Sequence, residues 1–397
     1  VRRRAVRLIV LAAVTLALGC ARAAVDLANT NLSQSELAAL VDSDAARQLL
    51  DELLERPPFG PRLAALPSSA PATASLENGT TAAARLPDQA ELRDLGERVS
   101  VDFAALAFAR ALLADPRSRD VQAAFQRFVR AGAERSAAAL QRPGAFPYRL
   151  LFAPSWLHRS HPATGSDFAE QRRVLDRLEL PNQLIPTGET DSVEDNARVI
   201  LSSLRAAVRE ARPVVLVTAS KAGAEAALAL SRLTPDESAG VAAWVNIAGA
   251  LHGTPLADAA LMPPFSWLAQ RIFRMRDWDW VSVTSLATEA SRQRLAGLKL
   301  PEALTVINLV AVPVSGSVSS RVYPAYQMLL YQGPSDGVIP LAGTVWPGGV
   351  NLVALGADHL FKRWREDAYV LALLRAVDMA ITLHRPAPAT VAGRDAD

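Results

Sequence analysis

From Pro143 onward, short continuously apolar runs alternate with longer amphipathic stretches, and this alternation limits the fold more than any other feature of the chain. The apolar runs cover residues 148–153, 183–185, 214–218, 241–247, 304–312 and 351–355. A strand that is apolar at every position, not at every second one, is buried on both faces, which is the signature of a parallel sheet covered by helices. Helical spacing fills the intervals at 167–178, 192–210 and 221–233, with Ser192 and Asp195 at capping-box spacing. The pattern predicts an α/β domain over residues 145–385, built on a mainly parallel sheet flanked by helices.

Ahead of it, residues 24–144 read as a helical region. Ser33-x-x-Glu36 has the form of a capping box, and Leu49, Leu50, Leu53 and Leu54 continue an apolar pattern to residue 56. Residues 57–87 are rich in Pro, Ala, Ser and Thr and read as a loop. Helical spacing returns over 100–131, through Phe103, Leu106, Val121, Phe125 and Phe128. This region holds neither His nor Cys, so it is a poor place to look for chemistry. At the far end, residues 386–397 read as a disordered tail.

Residues 1–23 have the form of an export signal. Arg2, Arg3, Arg4 and Arg7 precede an apolar stretch over 8–18, too short to span a bilayer, and Gly19-Cys20 follows. Two processing routes are open. Leu16-Ala17-Leu18-Gly19-Cys20 resembles a bacterial lipobox, which would make Cys20 a lipidated anchor; Ala21-Arg22-Ala23 is a small-x-small cleavage site, which would release a soluble product. The expected location is therefore outside the bacterial cytoplasm, either anchored to a membrane through Cys20 or periplasmic or secreted. Cys20 is the only cysteine, which excludes an internal disulfide. The 42 basic and 40 acidic residues nearly cancel, and no basic run beyond the first seven positions could follow a phosphate backbone, so nucleic acid is not an expected partner.

The strongest chemical signal is the strand-like Val214-Val215-Leu216-Val217-Thr218, followed by Ala219-Ser220-Lys221-Ala222-Gly223 and a helix of small residues. A buried strand that turns sharply into a helix holds the intervening serine above the sheet, where a base can take its proton; a serine there is also a common helix cap. Of five histidines, His384 sits in the tail, and of the other four His359 alone follows both Ser220 and a suitable acid, Asp336 in Gly333-Pro334-Ser335-Asp336-Gly337. Asp358 stands next to His359, and neighbouring side chains on extended backbone point apart. Asp336 can equally be a turn aspartate bonding its own backbone, and His359 a structural histidine. The order Ser220, Asp336, His359 is that of α/β-hydrolases.

From Tyr148 to about Trp364 the chain resembles the α/β-hydrolase superfamily, in particular a lipase-like bacterial group with an Ala-Ser-Lys nucleophile turn and a Gly-Pro-x-Asp-Gly acid turn. The matching positions are Phe152 to Trp156, Ser192 to Ala197, Ala219-Ser220-Lys221 with Gly223, His252 to Asp258, Gly333 to Gly337 and Asp358-His359. Ser155 and Thr218 stand where glycine is usual. The resemblance implies a serine carboxylic-ester hydrolase that acts on a small ester or lipid without a cofactor. Ser220 would be the nucleophile, His359 the base and Asp336 its orienting acid, with backbone N–H groups of Lys221 and Trp156 binding the oxyanion, so that the side chains of those two need not matter.

A cap over residues 259–302 is expected, dense in aromatic residues and Met. Trp267, Phe273 and Trp278 would line an apolar acyl pocket there, or the segment is a helical insert packed on the sheet. His158-x-x-His161 lacks a nearby third ligand, so no metal site is expected. An acyltransferase or thioesterase with the same three residues, and a catalytically silent binding protein, are the rival readings. Substrate identity and oligomeric state lie beyond the sequence.

Overall fold

The computed structural model describes residues 34–59, 85–142, 144–210 and 212–384. The leader, Cys20, Ser33, most of the 57–87 loop and the tail lie outside the described residues.

Six strands, all parallel, form one sheet: β1 (Arg149–Ala153), β2 (Asn182–Leu184), β3 (Val214–Ala219), β4 (Val241–Ile247), β5 (Thr305–Val312) and β6 (Val350–Leu355), in the order β2-β1-β3-β4-β5-β6. Every apolar run expected to be a strand is one. All eight residues of β5 are buried, as a strand with helices on both sides requires.

The front region contributes α1 (Gln34–Ala38), α2 (Asp44–Glu55), α3 (Gln89–Arg98), α4 (Val101–Leu112), α5 (Pro116–Ala131) and α6 (Ala133–Leu140). Between strands follow α7 (Ala169–Arg177), α8 (Val193–Ala207) and α9 (Lys221–Leu230). The cap contains α10 (Pro255–Leu261), α11 (Phe265–Met275) and α12 (Thr288–Leu295); α13 (Tyr323–Leu329) and α14 (Asp367–His384) complete the chain. Among the described residues no helix is long and apolar enough to cross a membrane.

The expected capping box of α8 is only half formed. The Ser192 hydroxyl accepts from Asp195 N–H at 3.0 Å, but the Asp195 carboxylate takes the Ser192 hydroxyl proton at 2.5 Å instead of reaching back to the backbone.

Alternation along the strands divides the core. One face carries Leu150 and Phe152 of β1, Val215 and Val217 of β3, Val245 and Leu309, packed against α5, α7 and α14. The opposite face carries Leu151, Leu216 and Trp244, packed against α8 and α9. Three buried asparagines cross the sheet in register, Asn246 donating to Asn308 at 3.1 Å and Asn308 to Asn351 at 3.0 Å. A one-residue slip of any of these strands would bury more unpaired amide groups, so the ladder fixes register, although Asn246 Oδ1 is itself buried without a partner.

The front helices share this core. Phe108 and Leu112 of α4 pack with Val310, Val312 and Val353, and Val121 and Phe125 of α5 join the first face. Asp102 of α4, fully buried, accepts from Asp42 N–H at 2.8 Å and from the N–H and hydroxyl of Ser315, each at 2.8 Å, tying the first helices to the loop after β5. Burial pushes its carboxyl up to about 6, against the lowering effect of the Ser315 bond.

Candidate active site

Where β3 passes into α9, Ser220 has φ 52° and ψ −123°, a strained backbone that costs on the order of 1–3 kcal/mol. The turn is held from β4's side: Ser220 N–H donates to the Ile247 carbonyl, and the Ser220 carbonyl accepts from Ala250 N–H, both at 2.9 Å. Close approach makes this possible, since a Cβ on Gly223 would lie 2.6 Å from Gly249 Cα. Thr218, in place of a usual glycine, fits for a specific reason. It is fully buried on the α8–α9 face, and its hydroxyl accepts from the Trp244 indole at 2.8 Å. Ser155, the other departure, has no left-handed φ that would require glycine.

The structure brings Ser220, His359 and Asp336 together. The Ser220 hydroxyl lies 2.9 Å from His359 Nε2, and His359 Nδ1 lies 2.7 Å from Asp336 Oδ2. Asp336 bonds its own turn and the histidine at once. Its Oδ1 accepts from Val338 and Ile339 N–H at 2.9 and 2.7 Å, which leaves Oδ2 for the ring. That contact assigns the proton to Nδ1 and a lone pair to Nε2, facing the hydroxyl. Burial alone would push the imidazole down, but the charge and hydrogen bond of Asp336, aided by the charge of Asp358, outweigh it and hold His359 above the usual histidine value. Asp358 does not touch the ring; it accepts from Ser319 and Leu360 N–H at 2.9 and 3.0 Å.

The Lys221 side chain is not incidental. It is buried and ion-paired with Glu225 one turn along α9, and Glu225 also accepts from Asn196 of α8 at 2.9 Å. Burial drives the Glu225 carboxyl upward, and Lys221 opposes this. Trp156 donates its indole N–H to Ser282 at 3.1 Å and stacks against Phe273, so the cap rests on the loop after β1. Backbone N–H groups of Lys221 and Trp156 have no backbone acceptor among the described residues.

The cap aromatics stand elsewhere than an acyl pocket would need. Phe273 and Trp278 are buried in the cap's own core, with Trp278 also donating to Ser160 at 3.2 Å, while Trp267 is 66 % exposed. None of the three lines the cavity that opens beside Ser220. That cavity, about 270 Å³, lies on the other side, bounded by apolar residues of β1, β3, α7 and α14 and by Phe168, Phe361 and Trp364. Cap aromatics cluster because large rings bury most area against each other and against Trp156. His158 is likewise accounted for: its Nδ1 bonds the Ser155 carbonyl at 3.0 Å, and Arg159 donates to Nε2 at 3.3 Å.

Sequence reasoning passed over Gln89. From α3, its amide N–H group donates to the carbonyls of Gln332 and Pro334 at 2.8 and 3.1 Å, and its oxygen accepts from Ala342 N–H at 3.2 Å. These bonds bracket the acid turn, and a Cβ on Gly333 would lie 2.7 Å from Arg93 Cα of the same helix. No local signal marks a glutamine for this role; only the helix N-terminal pattern at Asp88-x-x-Glu91 would have located α3.

No family model matches the chain, and no curated protein matches it. Among solved structures, a metagenomic carboxyl esterase is 23% identical over 58% of this chain and 76% of its own, with a TM-score of 0.48. A Bacillus licheniformis lipase in its mature form is 20% identical over 54% of this chain and 86% of its own, with a TM-score of 0.45. A Legionella pneumophila phospholipase is 18% identical over 50% and 44%, with a TM-score of 0.38. The parallel order β2-β1-β3-β4-β5-β6, with the sharp serine turn after β3, is that of the α/β-hydrolase fold.

Proposed function

We propose that the protein is a serine hydrolase of carboxylic esters that works through an acyl-enzyme on Ser220. The observation that carries this reading is the unbroken series from Asp336 through His359 to Ser220, at 2.7 and 2.9 Å, beside an apolar cavity. Ser220 Oγ attacks the ester carbonyl carbon as its proton passes to His359 Nε2. Asp336 stabilises the imidazolium so formed and keeps Nδ1–H pointed at itself. The tetrahedral oxyanion is received by the backbone N–H groups of Lys221 and Trp156, each donor contributing about 3–4 kcal/mol to the transition state. Collapse breaks the bond to the alkoxide, which leaves with the proton from Nε2; water, deprotonated by the same nitrogen, then releases the acid and restores Ser220. Export, with anchoring through Cys20 as one of its two routes, belongs to the same proposal; the mass of the mature protein separates an acylated Cys20 from cleavage after Ala23.

The test is mass spectrometry after treatment of the folded protein with a fluorophosphonate. One adduct on Ser220 is expected, absent from Ser220→Ala and greatly slowed in His359→Ala. Folded wild-type protein that stays unlabelled while retaining its thermal transition would overturn the catalytic reading.

A further inference from the structure

Protein interiors are packed as densely as organic crystals and hold few voids larger than a water molecule. Against that background, an opening of 270 Å³ inside the principal core, with its mouth at Ser220, calls for an occupant. Its walls have a direction. Val215, Val217 and Ala219 share one face of β3, and all three line the cavity, which therefore descends about 13 Å from the nucleophile at the strand rise. Leu150 and Phe152 of β1 accompany them. Opposite, α14 follows β6 and runs back down this face; it presents Val370, Leu374 and Val377, a span of about 10 Å at the helical rise. Two independent elements thus give comparable depths, of about 10 and 13 Å.

The chemistry of the lining is graded. Polar groups, among them Thr164, Ser166, Arg321 and His359, stand near the mouth. Below them Leu150, Val215, Leu175, Leu374 and Val377 offer only aliphatic surface. This aliphatic part offers few partners to a buried water, which needs two to four polar contacts, and it suits a hydrocarbon chain, although Gln171, whose buried Oε1 has no hydrogen-bond partner, and Arg365 also line the cavity. At about 30 Å³ of liquid volume for a water-sized group, the opening corresponds to roughly nine such groups.

We propose that this channel between the sheet and α14, and not the cap, is the acyl-binding site, and that it selects esters of single, unbranched, medium-length fatty acids. The inference rests on Ser220 being the acyl-accepting residue for its catalytic consequence, while the binding of a fatty acid does not depend on it.

Two measurements on the full chain test the channel. In the first, kcat/KM is compared across butyryl, octanoyl, decanoyl and palmitoyl p-nitrophenyl esters. Wild-type protein is expected to favour octanoyl and decanoyl. Val377→Phe, which shortens the closed end, should lower the decanoyl-to-butyryl ratio roughly tenfold, and Leu374→Ala, which enlarges it, should move the optimum to longer chains. In the second, calorimetry on Ser220→Ala is expected to show decanoate binding that weakens roughly tenfold when Val377→Phe is added. Decanoate binding without fluorophosphonate labelling of the wild type would remove the catalytic reading and keep the channel. Labelling with a flat chain-length profile, unchanged in both variants, and no decanoate binding would remove the channel and keep the catalysis.

Discussion

The turn that carries Ser220 and the turn that carries Asp336 each present one member of the hydrogen-bonded series at the carboxyl edge of the same sheet, yet they are secured by different means. Around Ser220 the supports come from its own helix and the neighbouring strand: the Lys221–Glu225 ion pair within one helical turn, the backbone of Ile247 and Ala250, and Gly223 against Gly249. Around Asp336 the outer supports come from far away, through Gln89 in a front helix more than 240 residues earlier. A turn secured by its own helix and by the central strand beside it is part of the folding core. One clamped from outside can loosen while the rest of the molecule stays folded.

That contrast can be broken by experiment, and the largest effect is expected at the nucleophile turn. Lys221→Met strands the Glu225 carboxylate in the interior and should cost about 3–5 kcal/mol of stability in denaturant titration. Adding Glu225→Leu should recover most of the loss, because a buried ion pair exchanged for apolar side chains of similar size is close to neutral. If Lys221→Met melts like the wild type, the nucleophile turn is not part of the core in the sense argued.

Gln89→Ala should act differently. It removes three bonds from the acid turn, and with the turn's position less fixed kcat is expected to fall roughly tenfold, below the hundredfold that a full ångström of misplacement costs. KM should stay unchanged and the melting transition should shift little. A large loss of stability with kcat intact would reverse the comparison.

The smallest effect concerns pH. His359 must be neutral to accept the serine proton, and its environment holds it above the ordinary value, so activity should rise with pH along a limb centred above about 6.5. Asp358→Asn removes one of the charges that raise it and should move this limb toward lower pH by a fraction of a unit, read from kcat/KM profiles. An unchanged limb would show that Asp336 alone sets the ionisation.

Much of the fold was legible because its strands are buried on both faces. Such strands must be continuously apolar, and runs of that kind stand out in β3, β4 and β5 without reference to anything distant. The helices of the front region were legible only in part. Their apolar stripes pack on the sheet, but nothing local says so; α3 carries few apolar residues to betray it, and those of α6 are mostly alanine. At the site, Ser220, His359 and Asp336 were picked out as candidates because the strand-to-helix turn, the scarcity of histidine and the chain order constrain one another; their 2.7 and 2.9 Å contacts are a finding of the tertiary structure alone. Gln89 was invisible, since a glutamine's value lies wholly in which backbone groups it meets.

The cap misled for the opposite reason. Aromatic density is a conspicuous property of a sequence, but the rings of the cap pack on one another and close space, while the open cavity is walled by Val, Leu and Ala together with Phe152, Phe168, Phe361 and Trp364, core residues that no local signal sets apart. By itself the sequence determined which segments must be buried, in what order they follow and which side chains are chemically able to react, because these depend on composition and short-range spacing. Only the tertiary structure decided where the interior stays empty and which distant groups touch, because a void or a clamp belongs to the packing between elements and is written in no one of them.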